Sequence, residues 1–164
     1  MARWADLEAA APELAARGRE LIDRFRFVYI ATLRRDGSPR ISAVEARIAG
    51  GELAMSMIPG TLKARDLLRD PRLAVNVPLE HPDDPNAEFK LRGRALEVRD
   101  TELKEAVAAA IESTSGWRPP LDWHFVTVDI AQAAFIAWTE GVMRMSRWSP
   151  DEGVREVERP VAVL

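Results

Sequence analysis

A threonine and a lysine stand where an extended apolar segment gives way to a short helix, and their types and spacing suit phosphate binding. Residues 52–58 read as extended, a Pro-Gly pair interrupts them, and residues 61–69 have a helical pattern. Thr61 is the natural N-cap, because its hydroxyl can accept a hydrogen bond from a free backbone N–H in the first turn. Lys63 lies in that turn. Free amides, a hydroxyl and an ammonium at one helix start are suited to bind a phosphate.

The same pattern also has an ordinary structural explanation. A strand, a turn and a capped helix occur in most mixed α/β proteins, and a lysine in the first turn is commonly just solvated. The charge of Lys63 opposes the helix dipole at a cost of about 0.3 kcal/mol or slightly more. This cost favours a bound anion without requiring one, so both explanations fit these residues.

The composition limits the class of protein. The chain has 164 residues, 47% apolar and 30% charged, which predicts one domain, 1–164, with peripheral tails at 1–11 and 151–164. The net charge of −3 argues against a nucleic-acid partner. No apolar run is long enough to span a membrane, and the N-terminus lacks the pattern of a signal peptide. The absence of cysteine excludes disulfides and thiolate metal sites and fits a cytoplasmic protein.

The elements that must position Thr61 and Lys63 follow from hydrophobic periodicity. Helical spacing of apolar residues predicts three helices, at 12–24, 61–69 and 101–113. In the 61–69 helix, Leu62, Leu67 and Leu68 are expected to form the apolar side. Clusters of β-branched and aromatic residues, or their alternation with polar ones, predict strands. These strands are at 27–33, 40–48, 52–58, 73–77, 88–99, 123–130, 133–138 and 141–148.

Turn signals between these elements predict how the strands connect. Gly37 can supply the positive φ of a tight hairpin turn at residues 34–39. Gly93 predicts a bend or a bulge in the 88–99 strand. Six to eight strands joined mostly by short turns, with about three inserted helices, favour an antiparallel sheet closed or nearly closed into a barrel. The predicted fold class is therefore α+β.

Three segments of the chain together resemble a known family. They are YIATLRRDGSPRISAV (29–44), TLKARDLLRDPRLAVNV (61–77) and LRGRALEV (91–98), and a predicted helix precedes them. Over residues 12–136 the series is similar to the flavin-binding split-barrel proteins related to pyridoxamine 5′-phosphate oxidase, including their deazaflavin-using relatives. The resemblance implies an antiparallel split β-barrel that forms a homodimer, with two cofactor sites at the subunit interface.

The resemblance also implies which residues bind the cofactor. By position, Thr61 and Lys63 match the family's hydroxyl and lysine on the cofactor phosphate, and Leu62 lies between them. Ser56 and Met57 match the strand end beside the phosphate. The strand whose backbone and first arginine face the flavin ring and the phosphate is matched by Arg40, Ile41, Ser42, Ala43 and Val44. A ribityl phosphate with a charge of about −2 suits a helix N-terminus with a lysine and an arginine.

This chain departs from the oxidase at positions that bear on its activity. Leu62 stands where the oxidase has a second basic residue, and Glu88 lies about where that enzyme has a flavin-contacting glutamine. The C-terminal arginine–histidine element for pyridoxal phosphate is absent from residues 143–164. The resemblance therefore implies hydride transfer between a flavin and a small organic substrate, rather than oxidation of pyridoxamine phosphate.

The remaining candidates for chemistry have simpler explanations. His81 lies in a loop rich in proline and aspartate and is expected to be solvated, and His124 is expected to be a packed strand residue. Two isolated histidines support haem ligation poorly, and no close His/carboxylate motif supports a metal site. Trp4 is expected to be incidental. The other tryptophans are expected to pack the core, the dimer interface or the flavin ring: Trp117, Trp123, Trp138 and Trp148.

Two functions from different classes fit these residues. The first is an oxidoreductase that carries FMN, or alternatively the deazaflavin F420, whose longer acidic tail would require extra basic groups such as Arg34, Arg35 or Arg65. The second is a non-enzymatic module that binds a flavin, haem or a similar ligand. No nucleophile, metal motif or paired carboxylate identifies a catalytic residue, so none is predicted.

Overall fold

Eight strands and four helices account for most of the residues that the computed structural model describes, which are 1–77, 88–139 and 141–160. In chain order they are α1 (Trp4–Ala10), α2 (Pro12–Phe25), β1 (Phe27–Leu33), β2 (Pro39–Ala49), β3 (Glu52–Met57), α3 (Leu62–Arg69), β4 (Arg72–Asn76), β5 (Glu88–Glu97), α4 (Thr101–Ser115), β6 (His124–Thr139), β7 (Val142–Ser149) and β8 (Gly153–Pro160).

One antiparallel sheet contains all eight strands, and its first six close into a barrel. The strand order is β3-β2-β1-β4-β5-β6-β7-β8, and β3 also pairs with β6. β6 is long enough to pair with two strands along the same edge: residues 124–127 pair with β3, and residues 133–139 pair with β7. β7 and β8 therefore extend beyond the barrel as a hairpin. The predicted α+β class and the antiparallel barrel are confirmed.

A bulge explains why β6 is one strand where the sequence predicts two. Gly93 of β5 faces Ile130, but the residue before Gly93 faces Gln132, so Ala131 has no partner in β5. The extra residue bends the strand without ending it. A Cβ atom at Gly93 would overlap the carbonyl oxygen of Asp129, so only glycine fits here. The predicted irregularity at Gly93 is confirmed.

The main core includes the barrel interior and residues of α1 and α2. Trp4 and Leu7 of α1 are fully buried. The ring of Trp4 packs edge-on against Phe89, with 5.9 Å between the ring centroids. The expectation that Trp4 is incidental is therefore wrong, because α1 packs on α2 and β3 and places this large apolar side chain in the core.

The C-terminal residues that the structure describes form a strand where the sequence shows only a charged segment. β8 pairs with β7 from Gly153 opposite Ser149 to Pro160 opposite Val142. Its side chains are mostly exposed, and it is the outermost strand of the sheet. Charged residues and a proline on such an edge discourage pairing with a further strand.

Candidate functional site

The connection from β3 to α3 brings the start of the helix to the end of a barrel strand. Gly60 has φ +77°, which turns the chain sharply. Thr61 occupies the N-cap position as predicted, but its hydroxyl donates to the carbonyl oxygen of Ile58 at 2.9 Å. The prediction that this hydroxyl caps the helix is therefore wrong, because the turn folds the Ile58 carbonyl back beside it. The first amides of α3 thus have no side-chain cap, and its first turn has no acidic residue.

The ammonium of Lys63 links α3 to the middle of β2. Its Nζ donates to the carbonyl oxygen of Ala43 at 3.0 Å. Burial lowers the pKa of Lys63. An ammonium has three N–H donors, so this bond leaves donors for a ligand. In the described part of the chain, no carboxylate forms an ion pair with Lys63.

Arg40 reaches the same helix one turn further along and binds a buried carboxylate. Its Nε donates to Oδ2 of Asp66 at 2.7 Å, and the Asp66 side chain is only 5% exposed. Arg69 donates to the other oxygen, Oδ1, at 3.2 Å, and the hydroxyl of Thr32 donates to Oδ2 at 3.1 Å. The guanidinium of Arg40 is therefore held by α3 rather than free in solvent. Sequence reasoning missed Asp66.

Asp66 also explains why α3 packs through a different side from the one predicted. Leu62 and Leu68 are exposed, whereas Ala64 and Leu67 are buried together with Asp66. The carboxylate faces two donors outside the helix, Thr32 and Arg40, and these bonds hold the rotation of the helix. The predicted apolar side is therefore right only for Leu67. The signal in the sequence was an acidic residue, Asp66, close to the apolar helix residues Ala64 and Leu67.

The other predicted residues of β2 divide between the two faces of the sheet. Ile41 and Ala43 point outward, and Ile41 is 74% exposed. Ser42 and Val44 point to the other face, where Val44 is buried and Ser42 is half-buried. The backbone of this strand lies against the start of α3, because Lys63 binds the Ala43 carbonyl.

The predicted residues of β3 have buried side chains. Ser56 pairs with Phe125 of β6, and Met57 pairs with His124. Met57 and His124 also border a small, mostly apolar cavity of about 240 Å³ beneath α3. Neither Ser56 nor Met57 presents its side chain to solvent beside Lys63. His124 is half-buried in its strand, as expected.

The outer face of β1 and β2 exposes an apolar patch next to Ala43. It consists of Phe27, Tyr29 and Ile41, and Tyr29 lies directly opposite Ala43. On the same face of the sheet, β4 to β7 form a shallow groove of about 430 Å³. The side chains of the groove include both apolar and charged groups, among them Ala134, Met145, Lys90, Arg92 and Arg147.

A larger cavity lies away from the predicted residues. It has a volume of about 730 Å³ and lies between α2 and the strands β6 to β8. Arginines and glutamates line it, and the guanidinium of Arg17 lies over the ring of Phe135. None of the residues predicted to bind a cofactor borders this cavity.

The tryptophans that the sequence left unassigned have different positions. Trp148 belongs to the core. Trp117 and Trp123 pack on each other after α4, with ring centroids 5.2 Å apart. Trp138 is partly exposed near the end of β6.

We searched the described residues, 1–77, 88–139 and 141–160, for a metal-binding group of side chains and for a membrane-spanning helix. No group of three or more His, Cys, Asp or Glu side chains in these ranges is placed to hold a metal ion. No helix within them is long and apolar enough to cross a membrane. His81 lies outside the described residues.

A comparison of the sequence with known families decides the membership of this chain. The profile of the pyridoxamine 5′-phosphate oxidase family matches residues 14–137. The chain belongs to the pyridoxamine 5′-phosphate oxidase family. The matched range includes every position predicted to bind the cofactor, so the resemblance found in the sequence is confirmed. No curated protein sequence matches the chain.

Solved structures share the split-barrel fold at low sequence identity. A pyridoxamine 5′-phosphate oxidase-related, FMN-binding protein from Nostoc punctiforme is 13% identical, with a TM-score of 0.60 over 93% of this chain and 96% of that chain. PhzG from Burkholderia lata, in complex with tetrahydrophenazine-1-carboxylic acid, is 12% identical (TM-score 0.67, coverage 96% and 95%). A haem-binding protein from Mycobacterium smegmatis is 14% identical (TM-score 0.61, coverage 91% and 90%). These three proteins are named for different ligands, so the shared fold does not identify the ligand of this chain.

Proposed function

We propose that this protein is a flavin-dependent oxidoreductase that binds FMN through its phosphate at the start of α3. In this proposal, Lys63 and Arg40 hold the phosphate together with the first amides of the helix. The enzyme transfers a hydride to or from a small organic substrate. The observation that carries the proposal is the Lys63 ammonium, fixed on the Ala43 carbonyl beside an uncapped helix start.

The charges at this helix start fit an anionic group. The first turn of α3 carries Lys63 and Arg65 and no acidic residue. The helix dipole adds positive potential from amides that no side chain caps. A phosphomonoester carries a charge of about −1.5 to −2 at neutral pH and offers three acceptor oxygens. Its oxygens would therefore accept hydrogen bonds from the uncapped amides of the helix and from the remaining donors of the Lys63 ammonium.

The outer face of β2 offers a surface for the rest of the cofactor. Ala43 and Ile41 expose small and apolar side chains next to the strand backbone that Lys63 contacts, and Tyr29 lies beside them. An aromatic ring system suits such a surface. A bound flavin supplies the hydride-transfer chemistry. The side chains of this protein bind and orient it, and none is assigned a proton-transfer role.

A second copy of the chain would complete the site, and we propose a homodimer. Phe27, Tyr29 and Ile41 are large apolar side chains exposed on one face, and contiguous exposed apolar patches can mark interaction sites. A twofold dimer would cover this face with the same surface of the second copy. A stable interface of this kind buries more than about 1,000 Å² in total. We propose a cytoplasmic location, because the chain lacks cysteine.

The deazaflavin F420 is the second candidate cofactor, because further cations lie near the site. Arg34 and Arg35 are exposed in the β1–β2 turn. Arg69 of α3 donates to the carbonyl of Leu33, which ties that turn to the helix. Together with Arg65, these cations would meet a longer acidic tail than the FMN phosphate.

Titration of the purified protein with FMN, riboflavin and F420 tests this proposal. One charge-assisted hydrogen bond contributes about 1.5–3 kcal/mol, so FMN should bind at least about tenfold more tightly than riboflavin. Tighter binding of F420 than of FMN would establish the second candidate. Equal affinity for FMN and riboflavin would contradict a phosphate site. A Soret band in the purified protein, with no flavin binding, would instead support a haem-binding module.

The oxidoreductase activity needs its own measurement. The FMN-loaded protein is reduced without oxygen and mixed with a panel of quinones and conjugated carbonyl compounds. Reoxidation by a panel member that exceeds the rate of free reduced FMN would support an enzyme. Rates equal to free FMN for every compound, despite tight binding, would support a protein that only stores or senses flavin.

A further inference from the structure

Asp66 lies three residues after Lys63 on α3 and binds Arg40. Its carboxylate is nearly inaccessible to solvent and accepts hydrogen bonds from Arg40, Arg69 and Thr32. A buried carboxylate is stable only when it is paired and hydrogen-bonded, and this one meets that condition fully. Burial raises the pKa of Asp66, but the hydrogen bonds from Arg40, Arg69 and Thr32 outweigh it, and the net pKa is lowered.

Two side-chain hydrogen bonds connect α3 to β2, and they lie next to each other along the helix and along the strand. Lys63 binds the carbonyl of Ala43, and Asp66 binds Arg40, so both pairs are three residues apart in sequence. Three residues span about 4.5 Å along a helix. The cations of Lys63 and Arg40 are therefore placed along one short stretch of the boundary between helix and strand.

The bond from Asp66 uses only part of the Arg40 guanidinium. It involves Nε, the nitrogen nearest the aliphatic stem. A guanidinium has five N–H donors in a rigid plane, so fixing Nε also fixes the direction of the terminal Nη groups. The carboxylate thereby determines the orientation of donors that it does not bind itself.

We propose that Asp66 is a positioning residue for the cofactor phosphate: it orients Arg40 so that its terminal N–H groups bind the same phosphate as Lys63. The inference rests on the proposed function, because it assumes a phosphate at the start of α3. Asp66 does not touch the cofactor in this arrangement. It acts through Arg40.

The effect of removing the Asp66 charge follows from its neighbours. A lone carboxylate near a phosphate would weaken binding by repulsion. Here Arg40 and Arg69 share this carboxylate, so without it two arginines would face each other with no anion between them. Their repulsion would displace Arg40 from its present position. The loss of orientation therefore outweighs the loss of a negative charge that the two arginines already neutralise.

Asp66→Asn and a matched control, Asp70→Asn, test the inference by titration with FMN and with riboflavin. Asp70 lies at the C-cap of the same helix and binds Arg72, on the side away from Lys63. Asp66→Asn should lower the affinity for FMN by about tenfold, the lower end of what outer-shell partners contribute at metal sites. Riboflavin affinity should stay unchanged in both variants, and FMN affinity should stay unchanged in Asp70→Asn.

A double-mutant cycle with Arg40→Ala separates positioning from a general structural role. If Asp66 acts through Arg40, Asp66→Asn should cause no further loss of FMN affinity in the Arg40→Ala background. Full additivity would overturn the inference. So would unchanged or increased FMN affinity in Asp66→Asn, or an equal loss for FMN and riboflavin.

Two further measurements keep the test decisive. If Asp66→Asn does not fold, Arg40→Lys replaces it, because lysine keeps the charge but has no Nε to bind the carboxylate. That variant should lose FMN affinity and keep riboflavin affinity, and unchanged FMN affinity would overturn the inference. If the wild type binds FMN and riboflavin equally, the phosphate site itself fails. If Lys63→Ala loses the preference for FMN but Asp66→Asn keeps it, only the role of Asp66 is wrong.

Discussion

Substitution of Lys63 by alanine is the most direct test of the phosphate site. The ammonium uses one donor on the Ala43 carbonyl at 3.0 Å, which leaves donors for the phosphate. Loss of one charge-assisted hydrogen bond costs about 1.5–3 kcal/mol. The affinity for FMN should therefore fall about 10- to 150-fold. Riboflavin has no phosphate, so its affinity should stay the same in Lys63→Ala as in the wild type.

Lys104→Ala is a matched control for the structural part of this change. Its Nζ donates to the carbonyl of Leu121, also at 3.0 Å, so it forms the same type of bond far along the chain on α4. Each variant should lose about 0.5–1.5 kcal/mol of stability from that bond, measured by urea denaturation. Only Lys63→Ala should lose FMN affinity, measured by quenching of flavin fluorescence at one salt concentration. Equal weakening of FMN and riboflavin, or no weakening, would show that Lys63 is only a structural helix residue.

Four other outcomes are expected. Ile41→Glu should convert a dimer to monomer in sedimentation, because it places a charge in the apolar patch, whereas Ala109→Glu on the exposed side of α4 should not; a monomeric wild type would refute the dimer. The ratio of FMN to riboflavin affinity should fall as the pH rises towards the lowered pKa of Lys63, because only the protonated amine binds phosphate; a flat ratio to pH 10.5, the ordinary lysine value, would contradict this. His124→Ala should keep turnover within about tenfold, since a general acid or base contributes at least about 100-fold, and a loss of about 1,000-fold would identify His124 as catalytic. Gly93→Ala should destabilise the fold by about 1–3 kcal/mol in urea, and an unchanged midpoint would refute the predicted overlap with Asp129.

Local sequence patterns were sufficient for most of the elements and for the start of α3, although β8 was missed and β6 was predicted as two strands. Alternation and turn residues predict most of the strands, because the side-chain period of a strand is visible within a few residues. Gly93 predicts the irregularity in β5, since only glycine tolerates a backbone approach as close as that of Asp129. Lys63 and Thr61 are placed at the helix start by the Pro-Gly turn before them, and the structure has α3 begin there.

Only the tertiary structure decided the partners of the polar side chains. The hydroxyl of Thr61 binds backwards to Ile58, and Arg40 binds Asp66, 26 residues further along the chain. Trp4 lies in the core because α1 packs on elements that follow it in the chain. Periodicity reports which side of an element is apolar, but it does not report which element covers that side. The bonds of α3 to β2, from Lys63 to the Ala43 carbonyl and from Arg40 to Asp66, make a lysine at a helix start part of a candidate phosphate site.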